Sequence, residues 1–240
     1  MFNVLPFHIL WEAIVTSYKT NQTTINFAKK HKVIEDDLVS SIIQAKDDVI
    51  FEFLDLFTSL EEEFNSIYTD TDFLFRFKQD DSLTTKLKAQ SETRQLYKIC
   101  NDVIGFRFII KTKSDDLLSI AEEFIKNCPN DLSCRIHDQS GGKAQNDGYK
   151  GFHVYVRNHQ NNAFPIEIQF WTRTDALLND YLHGNVYKAE ERDKLIAYAV
   201  ELRDWLKKLP VPPEDSEIKS YEDYLYEKAY SMTFGYEREE

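Results

Sequence analysis

The sequence predicts an α/β (α+β) protein, a mixed β-sheet flanked by N- and C-terminal helices. Three observations carry that expectation. Segments 102–112, 151–157 and 165–172 are rich in β-branched and aromatic residues, and Phe152, Val154 and Val156 alternate with His153 and Tyr155 at the period of a strand. The stretches before residue 67 and after residue 175 repeat their apolar residues at helical spacing instead. The order strand, helix, strand, strand between helical flanks is that of a catalytic core built on mixed strands.

Taken in order, residues 7–66 read as helices. Leu10, Ile14 and Tyr18 recur every four residues, and Ile42, Val49, Phe53 and Phe57 continue the stripe, with breaks or caps at 21–24 and 35–37. Residues 73–90 read as a strand end, a turn at Gln79–Asp81 and a short helix, with Arg76 and Lys78 on one side of the extended chain because they are two apart. A strand over 102–112 follows, then a helix capped by Ser114–Asp116 and ended at Pro129–Asp131, a short strand over 133–137, and a Gly- and Asn-rich loop over 138–148. Strands 151–157 and 165–172 form a hairpin about Asn158–Asn162. Helices fill 175–208, and a last one runs from Tyr221 to Met232 after the Pro210–Pro213 break. The expected division is a helical region over 1–70, a core over 71–190 and a helical extension over 191–240.

With 17 Phe and 13 Tyr in 240 residues the chain has the material for a folded core. The N-terminal run MFNVLPFHILWEAIV lacks a basic leader and is interrupted by Glu12, and no stretch is long enough to span a bilayer, so a cytoplasmic protein with no membrane partner is expected. Three cysteines without metal-type spacing argue against both a zinc site and a disulfide framework. A net charge of −12 disfavours a general nucleic-acid binder but permits a local basic pocket, since the bases gather between Arg76 and Arg107, about Lys143 and Lys150, and from Arg192 to Lys208.

Asp102 and Glu167 are acids placed on strands where a buried position accepts them only at a cost. Two such carboxylates are enough to hold Mg²⁺, an ion that keeps several of its waters. Arg76, Lys78, Lys86 and Arg107 surround the same strand end and supply the cations that a polyphosphate requires. Arg107 also has the planar group to lie on a purine. A solvated basic face would account for the cations equally well on spacing alone.

The motifs in register say more. Arg76-x-Lys78-x-x-x-Ser82-x-x-x-Lys86, Asp102-x-x-Gly105-x-Arg107, Gly148-Tyr149-Lys150-Gly151-Phe152-His153, Glu167-Ile168-Gln169 with Thr172, and His183-x-x-x-Tyr187-Lys188 together resemble the RelA/SpoT-type alarmone synthetase domain over residues 70–190, in its small single-domain branch. The resemblance implies a nucleotidyltransferase-like mixed sheet and transfer of the β,γ-pyrophosphate of ATP to a ribose 3′-hydroxyl. It assigns Arg76 and Arg107 to the ATP adenine, and Lys78, Ser82 and Lys86 to its phosphates. Asp102 becomes the Mg²⁺ ligand, and Glu167 a second metal ligand and the base that activates the hydroxyl. Tyr149, Lys150, His153 and Gln169 fall on the acceptor side, with Tyr149 stacking on the acceptor base.

The chain departs from that pattern on the acceptor side. Trp171 stands where the family's alarmone makers usually have arginine, with Arg173 two places on as a possible substitute, and Leu182 stands where a glutamate is usual. An arginine-to-tryptophan change removes a cation and five donors and adds an apolar plate. Two acceptors therefore stay open: the 3′-CCA end of tRNA, as in toxin members that block translation, and GDP or GTP, as in small alarmone synthetases. An adenosine nucleotide is a third. Lys143, Lys150, Arg173, Lys188 and Arg192 are the candidate basic track for tRNA. A toxin implies a protein antitoxin, and an inactive nucleotide-binding module is the reading from another class.

Overall fold

The computed structural model describes residues 7–68, 70–89, 94–112, 114–139, 148–185, 192–213 and 217–234. Helices α1 (Phe7–Thr20) and α2 (Asp36–Ile67) precede strand β1 (Thr71–Phe77). Then come α3 (Asp80–Ala89), α4 (Leu96–Ile99), β2 (Ile104–Ile110), α5 (Ser114–Lys126), β3 (Leu132–Asp138), β4 (Phe152–Asn158) and β5 (Ile166–Thr172), followed by α6 (Arg173–Asn185), α7 (Arg192–Leu206) and α8 (Tyr221–Phe234). The strands form one mixed five-stranded sheet in the order β1-β2-β5-β4-β3, so neighbours are consecutive in the chain except where β2 meets β5. Asp36 and Asp37 open α2, and Asp80 and Asp81 open α3, placing negative charge at the positive end of each helix.

The chain divides into two compact units, one of residues 1–108, 118–137 and 153–170, the other of 109–117, 138–152 and 171–240. In the first unit, period-two alternation gives the sheet an apolar face and a polar one. Phe73 and Phe75 of β1, Phe106 and Phe108 of β2, and Phe170 of β5 meet rings from the helices. Phe57 packs edge-on to Phe106 at 5.0 Å, Phe64 stacks on Phe73 at 4.7 Å, and Phe7 meets Phe108 edge-on at 5.7 Å. Trp11 stacks on Phe124 at 4.3 Å and donates its indole N–H to the Phe124 carbonyl. Each fully buried ring contributes about 1.5–3 kcal/mol from area alone, so this aromatic layer holds α1, α2 and α5 to the sheet and leaves the opposite face free for polar side chains.

In the second unit the start of α6 is fixed by a reciprocal cap. Thr172 Oγ1 accepts the Asp175 N–H at 3.0 Å and donates to the Asp175 carboxylate at 2.8 Å. Helix α6 packs against α7 and α8.

Two expectations change. The strand read over 102–112 begins at Ile104, so Asp102 lies in the turn before β2 and not within the ladder. Cys128 and Cys134 are joined by a disulfide, because the short connection from α5 to β3 doubles back and brings their Cα atoms to 6.8 Å, while Cys100 is free and buried. An odd count of cysteines says nothing about which two the fold brings together. Among the described residues, no helix is long and apolar enough to cross a membrane.

Candidate active site

The polar face of the first unit carries one connected set of side chains. Arg76 leaves β1 and crosses β2 over Gly105, where a Cβ would stand 3.4 Å from the Arg76 Cγ and Nε atoms; a glycine is the residue that lets the arm lie flat. Its guanidinium ends 3.7 Å from Glu167 on β5. Glu167 is 4% exposed. Its Oε1 is 2.9 Å from His153 Nδ1 on β4, and its Oε2 accepts from Gln169 Nε2 at 2.8 Å. Arg107 Nε donates in turn to Gln169 Oε1 at 2.9 Å, so hydrogen bonds run from β2 through β5 to β4. Burial alone would raise the Glu167 pKa. The hydrogen bond and charge of His153, with Arg76 and Tyr155, outweigh it and hold the carboxyl at about 2.

Asp102 is the centre of a second group in the same unit. Lys78 Nζ donates to one carboxylate oxygen at 3.0 Å and Lys86 Nζ to the other at 2.9 Å, and Lys86 also bonds Asn101 Oδ1. Arg76 and Lys78, expected on one side of a strand, therefore serve different carboxylates: β1 ends at Phe77, and Lys78 follows the turn towards Asp102. Ser82 is exposed on α3.

The remaining predicted residues lie in the second unit. Gly148 has φ of 76°, a left-handed turn open to glycine, and leads into Tyr149, which is buried. Trp171 Nε1 donates to the Tyr149 hydroxyl at 2.9 Å, and the two rings meet edge-on at 5.8 Å. The Lys150 backbone is clamped by Asn179, which accepts its N–H and donates to its carbonyl at 2.6 Å. Burial, with Arg203 and Lys207 close by, lowers the Lys150 pKa. Arg173 is not on a basic track: it is buried, bonds Asp223 at 2.6 Å and lies over the Tyr226 ring at 5.1 Å. Lys143, Tyr187 and Lys188, and the side chains of Leu182, His183 and Arg192, fall outside the described residues.

A search of curated proteins finds no match. Residues 75–192 match the family described as the region found in RelA / SpoT proteins. Residues 75–192 belong to the RelA/SpoT family. Among solved structures the chain is similar to small alarmone synthetase 1 from Bacillus subtilis bound to its product pppGpp, with 19% identity, 72% of this chain and 94% of that one covered, and a TM-score of 0.45. It is similar to small alarmone synthetase 2 from the same organism, with 18% identity, 70% and 94% covered, and a TM-score of 0.48. A third is the complex of the Type VI effector Tas1 with its immunity protein, with 14% identity, 78% and 91% covered, and a TM-score of 0.35.

The RelA/SpoT region gathers residues that the motif reading did not select. Tyr155 Oη is 3.4 Å from His153 Nδ1 and also bonds Glu167; the alternation that faces His153 towards β5 places Tyr155, two residues on, beside it. Asn101 precedes Asp102 and fixes Lys86. For a metal, the donors suit Mg²⁺: Asp102 and Glu167 offer hard carboxylate oxygens, and Asp102, with its side chain 20% exposed, is open to exchange of its lysine partners. Among the described residues no group of three or more His, Cys, Asp or Glu could hold a metal ion, so the remaining ligands of such an ion would be water or phosphate.

Proposed function

We propose that this RelA/SpoT-type pyrophosphokinase transfers the β,γ-pyrophosphate of ATP to the ribose 3′-hydroxyl at the 3′-CCA end of tRNA. The carrying observation is Glu167, a buried carboxylate that stays ionised beside His153, Gln169 and Arg76. A 3′-hydroxyl is a weak nucleophile and needs a carboxylate within hydrogen-bond reach. The 3′-oxygen forms its bond to the β-phosphorus, the bond to the α-phosphate oxygen breaks, AMP leaves with the electron pair, and the hydroxyl proton passes to Glu167. Arg107 and Arg76 hold the adenine of ATP, while Lys78, Lys86 and Ser82 take its phosphates, the lysines turning from Asp102 to the more highly charged ligand. Mg²⁺, when bound, neutralises phosphate charge, and Asp102 and Glu167 would hold it.

Tyr149 is the candidate platform for the acceptor base, worth roughly 1–3 kcal/mol of stacking and tolerant of base identity. Trp171 supports tRNA over a free guanine nucleotide, because an apolar plate bonded to Tyr149 stands where alarmone makers carry an arginine. On this reading a protein antitoxin accompanies the chain. The second reading, GDP or GTP as acceptor, is supported by Tyr149, His153, Glu167 and Gln169, which keep the motif shared with alarmone synthetases. The test is incubation with γ-labelled ATP and Mg²⁺, offering deacylated tRNA, GDP, GTP and excess ATP separately. Label on tRNA is expected; label on GDP or GTP alone overturns the tRNA reading, and label on none overturns the enzyme.

A further inference from the structure

We infer that Asn179 of α6 and Arg203 of α7 are positioning residues for the acceptor, fixing the main chain on either side of Tyr149 so that its ring meets the acceptor base in one pose. The inference rests on the reading of Tyr149 as the platform for that base and extends it to what holds the platform. Three consecutive residues of the second unit are tied by three different elements. The Gly148 carbonyl accepts from Arg203 Nη1 at 2.9 Å, and the Tyr149 hydroxyl from Trp171 Nε1 at 2.9 Å. Lys150 bonds Asn179 through both of its main-chain groups, the N–H at 3.1 Å and the carbonyl at 2.6 Å. A carboxamide carries the same donor and acceptor as a peptide group, so Asn179 takes the part that a neighbouring strand would take in a ladder. Asn179 is fully buried and Arg203 is 2% exposed. Polar groups buried so deeply are costly unless hydrogen-bonded, and here the bonds go to this loop or to its support.

Arg203 is itself fixed from the strand end that carries Trp171. Its Nε donates to one oxygen of Asp175 at 3.2 Å, and the other oxygen accepts from Thr172 Oγ1 at 2.8 Å, Thr172 being the residue after Trp171 at the end of β5. Bonds therefore run from Gly148 through Arg203 and Asp175 to Thr172, and return through Trp171 to Tyr149, closing a ring about the tyrosine. The need for such a ring lies in Gly148, whose φ of 76° puts the residue type with the widest backbone freedom next to the platform. A chain left free to turn there would have to be ordered at each binding event, at a cost to acceptor affinity that pre-organisation removes. Stacking depends on ring pose, whereas ATP held by the cations of the first unit does not use this ring. Arg203 lies beyond residues 75–192 that match the RelA/SpoT region, so on this inference α7 takes part in acceptor binding.

The test is a double-mutant cycle in the full chain, with Asn179→Ala, Tyr149→Ala and the two combined, and with Arg203→Lys beside them. Transfer from ATP is measured per folded molecule, with deacylated tRNA and GDP as acceptors. Asn179→Ala is expected to raise the acceptor KM about fivefold, the loss of a main-chain anchor, with KM for ATP within about twofold of wild type. Arg203→Lys, whose single amine has to serve both Gly148 and Asp175, should give a smaller rise of about twofold to threefold. Tyr149→Ala should raise the acceptor KM about tenfold through lost stacking. In its background Asn179→Ala should add nothing, because a clamp without its ring has nothing to present. A merely structural role would leave the two effects additive. Additive effects, an unchanged acceptor KM in Asn179→Ala, or an equal rise for ATP overturns the inference, and an unchanged acceptor KM in Arg203→Lys removes Arg203 from it. If Asn179→Ala does not fold, Asn179→Asp, which keeps the acceptor for the Lys150 N–H and loses the donor to its carbonyl, is read in the same way. An acceptor KM that Tyr149→Ala leaves unmoved defeats the platform reading itself, and the inference with it. Wild-type protein that transfers to no acceptor defeats the pyrophosphokinase reading instead. The clamp is then read by equilibrium binding of labelled tRNA and GDP, which Asn179→Ala must still weaken and only where Tyr149 is present; unweakened binding overturns it.

Discussion

In the first unit Arg76, with half its side chain exposed, approaches a buried Glu167 only to 3.7 Å, and Lys78 and Lys86 hold Asp102 with about a fifth to a quarter of each side chain in solvent. In the second unit Arg173 and Asp223 are each less than a tenth exposed and bond at 2.6 Å, and Lys111 adds a contact to the same carboxylate at 2.8 Å. A partly solvated pair gains little from its own attraction and gives up its cation cheaply to a phosphate or a metal. A buried pair cannot be opened without leaving a charge stranded. The same residue type, at positions that sequence motifs place in one site, is thus available for binding in one unit and committed to structure in the other.

The largest effect expected on breaking that contrast is chemical. Glu167→Gln keeps the shape and the Gln169 contact but removes the proposed proton acceptor, so pyrophosphate transfer is expected to fall about 10²–10⁴-fold while ATP binding, followed by equilibrium dialysis, changes little. Full activity in this variant would move the base elsewhere. The same variant has a stability signature. Because the folded carboxyl sits at about 2, below its ordinary value of 4.5, its contribution is complete above the ordinary value and is lost as pH falls through the folded one. Denaturant unfolding between pH 5 and 2 should show that acid limb in wild type and a flatter one in Glu167→Gln.

Next in size is Arg173→Ala. It leaves Asp223 buried with only Lys111 and the Ser220 hydroxyl of its three side-chain partners, and a loss of about 3 kcal/mol is expected from chemical denaturation. Activity per folded molecule should hold, because Arg173 belongs to the α6–α8 packing. A selective rise in acceptor KM with unchanged stability would return Arg173 to the substrate track.

Alternation and helical spacing made the element order legible, since both are local properties of the chain. The face on which His153, Glu167 and Gln169 lie was equally legible once the strands were recognised. What spacing could not supply was partners. A histidine set between Phe152 and Val154 reads as core packing until Glu167, fourteen residues away and on another strand, is placed beside it. Arg173 reads as a substitute for the missing arginine until a carboxylate fifty residues on claims it. Arg76 and Lys78 diverge because the strand ends between them, a boundary that the sequence places only to within a few residues.

Trp171→Phe is the smallest and sharpest test of the second unit. Phenylalanine keeps the apolar plate, so what disappears is the indole N–H bond to the Tyr149 hydroxyl, worth about 1 kcal/mol. For a chain of this size that lowers the melting temperature by roughly 2–4 °C, a loss visible by calorimetry but small beside that of Arg173→Ala. The informative number is the KM for tRNA. If the bond positions Tyr149 for a base, KM rises several-fold at constant KM for ATP, since a ring free to rotate spends less time in the stacking pose. If KM does not move, the Tyr149–Trp171 pair is packing of the same kind as Arg173–Asp223, and base recognition has to be sought among residues of the first unit.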